Sequence, residues 1–162
     1  MISSLWSSKF LIAGAILVWH PQYFKPGPWP SIADMLQPSM ETLKHIVVDI
    51  YRFVGVRVDF PEFEDMRTKN IIETVTIRVR RMNVLRCRGL ENNWGSLDEV
   101  LTSPGWFSLM RVTLILEVVN CFGTDNDLET LVALRKLPET QFLRLSSSKS
   151  ISFDFEVIIA TE

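Results

Sequence analysis

Histidine, cysteine and glycine are scarce in this chain of 162 residues, and each shortage closes off a class of chemistry. The two histidines, His20 and His45, stand beside no cysteine or serine in a recognisable motif, so nucleophilic catalysis has no support. The two cysteines, Cys87 and Cys121, form no C-x-x-C pair and no disulfide framework, and they read as free thiols of a reducing compartment. The seven glycines are scattered; without a G-x-x-x-x-G-K stretch there is no phosphate-cradling loop. None of the six asparagines begins an N-x-[ST] sequon. An excess of one charge is missing too: the net charge of −2 exerts no general pull toward nucleic acid or an acidic membrane. Carboxylates are plentiful, yet no pair stands out from ordinary surface charge. The expectation is therefore a non-enzyme with no catalytic, cofactor-binding or metal-binding residues.

What the chain does have is a 47% hydrophobic content with 22% charged residues, ordinary for one globular domain of this size. Its organising stretch is Trp94 to Val119, WGSLDEVLTSPGWFSLMRVTLILEVV. Ser96 and Glu99 have the spacing of a capping box, and Leu97, Val100 and Leu101 share one helical face. Ser103-Pro104-Gly105 ends that helix. Leu109, Val112, Leu114 and Leu116 then mark a strand. Counting from Leu109, apolar residues lie three, five and seven places on. The same offsets from Leu43 give Ile46, Val48 and Ile50, and from Ile72 they give Val75, Ile77 and Val79. These three copies start 29 and 37 residues apart, an irregular internal repeat.

The remaining segments fall around that repeat. Phe10–Trp19 is an apolar run of ten residues, too short for the ~20 that span a bilayer. It reads as a buried edge or capping segment, with a secretory or membrane-attaching address as the alternative. KPGPWP, residues 25–30, is a rigid loop. Residues 31–37 suggest a short helix, 54–60 a short strand or loop, and 61–69 a helix acidic at its start and basic at its end. Arg78, Arg80, Arg81, Arg86 and Arg88 cluster without interleaved aromatics, so nucleic acid is not the expected partner. Residues 123–127 form a polar turn that only superficially resembles a calcium loop. Leu128–Leu137 is expected as the last helix, with Leu128, Leu131, Val132 and Leu134 apolar and Pro138 stopping it. Phe142–Leu145 and Ile151–Ile159 are expected as strands around a turn at Ser146–Ser150, an end that departs from the three-fold frame.

The phrases LQPSMETLKHIVVDI, NIIETVTIRV and NNWGSLDEVLTSPGWFSLMRVTL carry a resemblance. A tryptophan, an L-D-x-x-L, an aromatic and an S-L-x-x-V-x-L follow one another as Trp94, Leu97-Asp98, Leu101, Phe107 and Ser108-Leu109 through Leu114. With Leu137-Pro138 closing the last helix, residues 29–157 resemble the leucine-rich-repeat portion of F-box-like proteins from mushroom-forming fungi. The resemblance implies a module that binds a protein target for ubiquitin ligation. It also implies a Skp adaptor and a cullin as partners, provided that an F-box is supplied elsewhere. The first thirty residues lack the L-P start and amphipathic helices of an F-box, and the repeats lack the asparagine that leucine-rich repeats usually place just after the strand. The implied location is the cytoplasm or nucleus, with no membrane partner.

The fold expected is α/β: a short leucine-rich-repeat-like array over residues 31–162, behind an N-terminal segment 1–30. Its sheet is mainly parallel, with helices on one face. If the strands lie in register, equal offsets are neighbours about 4.8 Å apart. Offsets three, five and seven point inward. Offset four sets Val47, Thr76 and Thr113 side by side on the uncovered face, and offset six sets Asp49, Arg78 and Ile115. Offset eight sets Tyr51, Arg80 and Glu117. Salt pairs are expected between Asp49 and Arg78 and between Arg80 and Glu117. The candidate partner-binding face comprises Asp49, Tyr51, Thr76, Arg78, Arg80, Thr113 and Glu117.

Overall fold

Leu43, Ile72 and Leu109, the first residues of the three repeat copies, are all buried just ahead of a strand. The computed structural model describes residues 10–11, 16–19, 42–51, 63, 70–83, 94–119 and 125–160. Its strands are β1 (Phe10–Leu11), β2 (Ile16–Trp19), β3 (His45–Tyr51), β4 (Thr74–Asn83), β5 (Arg111–Val119) and β6 (Ser152–Ala160). Helix α1 (Gly95–Leu101) precedes β5, and α2 (Asp125–Arg135), α3 (Leu137–Thr140) and α4 (Leu143–Ser147) precede β6. The six strands form one sheet in chain order. β1 pairs antiparallel with β2, and every later junction is parallel. The fold is α/β with a mainly parallel sheet.

The register is the one the offsets require. Ile46 pairs with Val75 and Val75 with Val112; Val48 pairs with Ile77 and Ile77 with Leu114. Val79 pairs with Leu116, completing the third row. Side chains alternate along a strand, so these rows face one way, and all those described are buried. The side chain of Ile50 lies outside the described residues. Leu97, Leu101, Leu134, Leu137, Phe142 and Leu145 from the helical segments join the same core, so the helices cover one face. β-branched and leucine side chains suit this pleated, buried surface, and each contributes about 1.5–3 kcal/mol on full burial.

The frame also extends beyond the three copies. Ile16 pairs with His45, an interval of 29 residues, and Arg111 pairs with Ser152, an interval of 41. Phe153, Phe155 and Val157 therefore fall beside Val112, Leu114 and Leu116. The C-terminal strand is not a departure from the frame but another copy behind a longer helical insertion. Phe10–Trp19 supplies two strands at the opposite edge of the sheet.

Several local expectations are overturned. The N-cap of α1 is Trp94, without a side-chain cap, and Ser96 already lies inside the helix, so the Ser96–Glu99 capping box does not form. Trp94 is instead fully buried, with its ring centroid 6.0 Å from that of Phe142. Phe142–Leu145 is no strand: residues 143–147 are helical. The cause is Asp98, whose Oδ2 accepts from the Arg144 N–H at 3.0 Å and whose Oδ1 accepts from the Leu145 N–H at 2.9 Å. A buried carboxylate of α1 thus satisfies the free N–H groups at the start of α4. Pro138 does not end the preceding helix, which stops at Arg135; it sits in the first turn of α3, where a missing N–H costs nothing. Leu128 and Val132 are exposed and only Leu131 and Leu134 reach the core.

The segments expected at 25–30, 31–37, 54–60 and 123–124 lie outside the described residues, as do Cys87, Cys121, Arg86 and Arg88. Of the helix expected at 61–69 only Phe63 is described; it is helical, buried, and 5.9 Å from the Trp106 ring. Asn70 is described and fully buried. Its Nδ2 donates to the Gly105 carbonyl at 3.2 Å, and its Oδ1 accepts from the Ile72 N–H at 3.2 Å. It ties the start of β4 to the turn ahead of β5.

Two stability measurements test this packing. Leu114→Ala, at the centre of the buried rows, is expected to lower unfolding free energy by about 2–5 kcal/mol in urea titration. Asp98→Ala leaves two backbone donors unmet and is expected to lose about 1–3 kcal/mol, with Asp98→Asn recovering part through its single carbonyl oxygen. An Asp98→Ala protein as stable as the parent would show that α4 does not depend on that carboxylate.

Candidate partner-binding face

The face turned away from the helices is assembled by the same register. Val47, Thr76, Thr113 and Asp154 form one row across β3 to β6. Asp49, Arg78, Ile115 and Glu156 form the next. Every member with a described side chain is half-buried or exposed except Asp49. Backbone pairing sets Tyr51 beside Arg80 as expected, but the side chain of Tyr51 lies outside the described residues. Nearer the strand starts, His45 Nδ1 and Thr74 Oγ1 are in hydrogen-bond contact at 2.7 Å. Lys44 Nζ donates to Glu73 Oε1 at 2.7 Å on the exposed rim.

The charge pairing differs from expectation. Asp49 and Arg78 are register neighbours, yet the ion pair runs diagonally, with Arg80 Nε at 2.9 Å from Asp49 Oδ1. The Arg80 N–H is not aimed at that oxygen, which is buried and has no hydrogen-bond donor, so the contact is Coulombic. The Asp49 side chain is only 9% exposed while that of Arg80 is 43% exposed, so the acid is held inside and the base reaches into solvent. Arg78 is exposed and makes no ion pair among the described residues.

The expected pair of Arg80 with Glu117 fails for a backbone reason. Val79 pairs with Leu116 and Met82 with Val118, so Arg80 and Arg81 together oppose Glu117 alone. This β-bulge has a simple origin. Strict alternation after Val75, Ile77 and Val79 would carry Arg81 to the buried face. The extra residue brings Met82 there instead, fully buried. The price of that correction is the lost Arg80–Glu117 register.

The candidate residues thus fall into two groups. Thr76, Thr113 and Arg78 lie together at the middle of the face, with Glu117 half-exposed one row on. Asp49 and Arg80 form a supporting pair beside them. Sequence reasoning left out Asp154 and Glu156, both exposed on β6, and Arg111, whose Nε is 3.7 Å from Asp154 Oδ2. The signal was present: Phe153, Phe155 and Val157 repeat the three-five-seven offsets counted from Ser150. Among the described residues, no three histidine, cysteine, aspartate or glutamate side chains are placed to hold a metal ion. No helix among them is long and apolar enough to cross a membrane.

The diagonal pair predicts unequal arginines. Arg80→Gln uncovers a buried carboxylate and is expected to cost about 1–3 kcal/mol, softened by the exposure of the arginine. Arg78→Gln is expected to stay within about 0.5 kcal/mol of the parent. Combining Arg80→Gln with Asp49→Asn should recover part of the loss in a double-mutant cycle, and equal effects at the two arginines would refute the assignment. Comparison with protein-family models, curated proteins and solved structures finds no match to this chain, so its reading rests on its own residues and geometry.

Proposed function

We propose that this chain is a non-catalytic protein-binding repeat module that presents the open face of its sheet to a protein target. This is the role of the leucine-rich-repeat portion of the fungal F-box-like proteins that the sequence resembles. The observation that carries the reading is the composition of the open face. Four registered strands set short threonines, Thr76 and Thr113, between charged residues, with a solvent-reaching arginine at the centre. Short side chains let a partner come close to the sheet, and an unpaired arginine is a frequent interface anchor. In this reading Arg78 contacts the target, Glu117 flanks it, and Asp49 keeps Arg80 in place.

The ligase connection extends the proposal. Engagement of a Skp adaptor and a cullin requires an F-box supplied elsewhere, and the module then selects the substrate for ubiquitin transfer in the cytoplasm or nucleus. The rival address at Phe10–Trp19 is less well supported, because β2 is hydrogen-bonded alongside β3. Removing that segment as a leader would strip strands from the sheet.

The test is affinity purification of the tagged chain followed by mass spectrometry. A specific protein target is expected, with the Skp adaptor and cullin recovered if the ligase reading holds. Arg78→Glu combined with Thr113→Arg is expected to reduce target recovery at least tenfold, while the melting temperature stays close to the parent's, as for surface changes of about 0.5 kcal/mol. Undiminished recovery by a folded double variant would remove this face as the binding site.

A further inference from the structure

The outer margin of β6 lies at the opposite end of the sheet from β1, and no strand among the described residues pairs with it. β6 is nine residues long. The Ser152 N–H donates to the Met110 carbonyl at 2.8 Å, which sets the direction of every backbone group after it. Residues 152, 154, 156 and 158 turn their N–H and C=O toward β5. Phe153, Phe155, Val157 and Ile159 turn theirs outward. The side chains divide in the same rhythm. Asp154 and Glu156 stand exposed on the open face, while Phe153, Phe155 and Val157 continue the core layer but remain only partly buried. Their neighbours Val112, Leu114 and Leu116 on β5 are at most 1% exposed. The apolar layer is thus unfinished at this edge.

We propose that the β6 edge accepts one further strand from a partner protein, an extended segment in which lysine or arginine alternates with apolar residues. Backbone hydrogen bonds would supply the general attraction and the alternating side chains the selectivity. Apolar residues of the segment would extend the layer of Phe153, Phe155 and Val157, and its basic residues would stand beside Asp154 and Glu156. Glu156 makes no ion pair among the described residues, and Asp154 has only the loose contact with Arg111 between two well-exposed side chains. A second copy of the chain meets like charge in its fullest overlap. Antiparallel registers that set Phe155 against Phe153, Phe155 or Val157 of another β6 also set acid against acid, and a parallel in-register pairing does the same. The acids therefore disfavour those self-pairings while leaving the edge open to a basic strand. The sheet already contains one such arrangement: β4, which alternates Val75, Ile77 and Val79 with Arg78 and Arg80, lies beside β3 with Arg80 on Asp49.

The test uses the full chain and a fluorescently labelled nine-residue peptide alternating lysine and valine, read by anisotropy. Controls are a glutamate–valine peptide and two lysine–valine peptides N-methylated on alternate amides, one in each phase. The lysine–valine peptide is expected to bind at least tenfold more tightly than the glutamate–valine peptide, and one methylation phase should abolish its binding. On binding, amide exchange should slow at Phe153, Phe155, Val157 and Ile159 and change little at residues 154, 156 and 158, whose amides already face β5. Val157→Pro removes an outward donor without touching the β5 ladder and is expected to abolish binding with the fold retained. Asp154→Lys with Glu156→Lys should reverse the preference toward the glutamate–valine peptide. Arg78→Glu should leave binding unchanged, which separates this edge from the open-face reading. Absence of binding, equal binding by both methylated peptides, or protection confined to other strands would overturn the proposal. If Val157→Pro fails to fold, the methylated peptides decide the matter without it.

Discussion

Backbone carbonyls at the foot of each strand hold the sheet in step. The Lys44 carbonyl accepts from the Glu73 and Thr74 amides at 2.8 and 3.0 Å. The Glu73 carbonyl accepts from Met110 and Arg111 at 2.9 and 3.2 Å, and the Met110 carbonyl from Ser152 at 2.8 Å. The same position of successive copies thus starts the ladder each time. Because side chains alternate with a period of two, slipping any strand by one residue would turn its valines and leucines to water and its charged residues into the core. The buried rows, the open face and the outward amides of β6 all follow from this one registration.

The chain keeps that registration while its connections grow longer toward the C-terminus. The interval between partners is 29 residues from β2 to β3 and 41 from β5 to β6. The extra length before β6 is held by packing and by a polar peg. Asp98 reaches from α1 to the first amides of α4, and Trp94 packs near Phe142, whose ring lies 5.2 Å from that of Phe153. A short helix of five residues has little stability of its own. It persists here because its unmet donors meet a buried carboxylate and because Leu145 and the adjoining Phe142 are in the core.

Charge on the open face is divided between support and availability. Asp49 is withdrawn from water and depends on Arg80, whereas Arg78 in the same row stays exposed. The bulge after Val79 removes the in-register acid on the β5 side. By spending one residue to keep the core row apolar, it takes Arg80 out of step with Glu117 and leaves Asp49 as its partner. The acidic β6 margin stands apart from this arrangement, two strands away from β4.

Period and spacing alone determined most of the sheet. The three-five-seven offsets identified the strands now seen as β3, β4 and β5, their inward residues and their pairing through Val79, because a parallel ladder between like copies admits one register that buries every apolar row. The open-face rows at offsets four and six followed by subtraction. Tertiary structure decided what depends on contacts between distant residues. Nothing local marks Asp98 as the acceptor for Arg144 and Leu145, 46 and 47 residues away, so Phe142–Leu145 read as a strand when it is a helix start. The capping box at Ser96 lost to burial of Trp94. The diagonal Asp49–Arg80 pair is a contact between strands, and the bulge that breaks the Arg80–Glu117 register arises because Arg81 cannot occupy a core position that a strict alternation assigns to it.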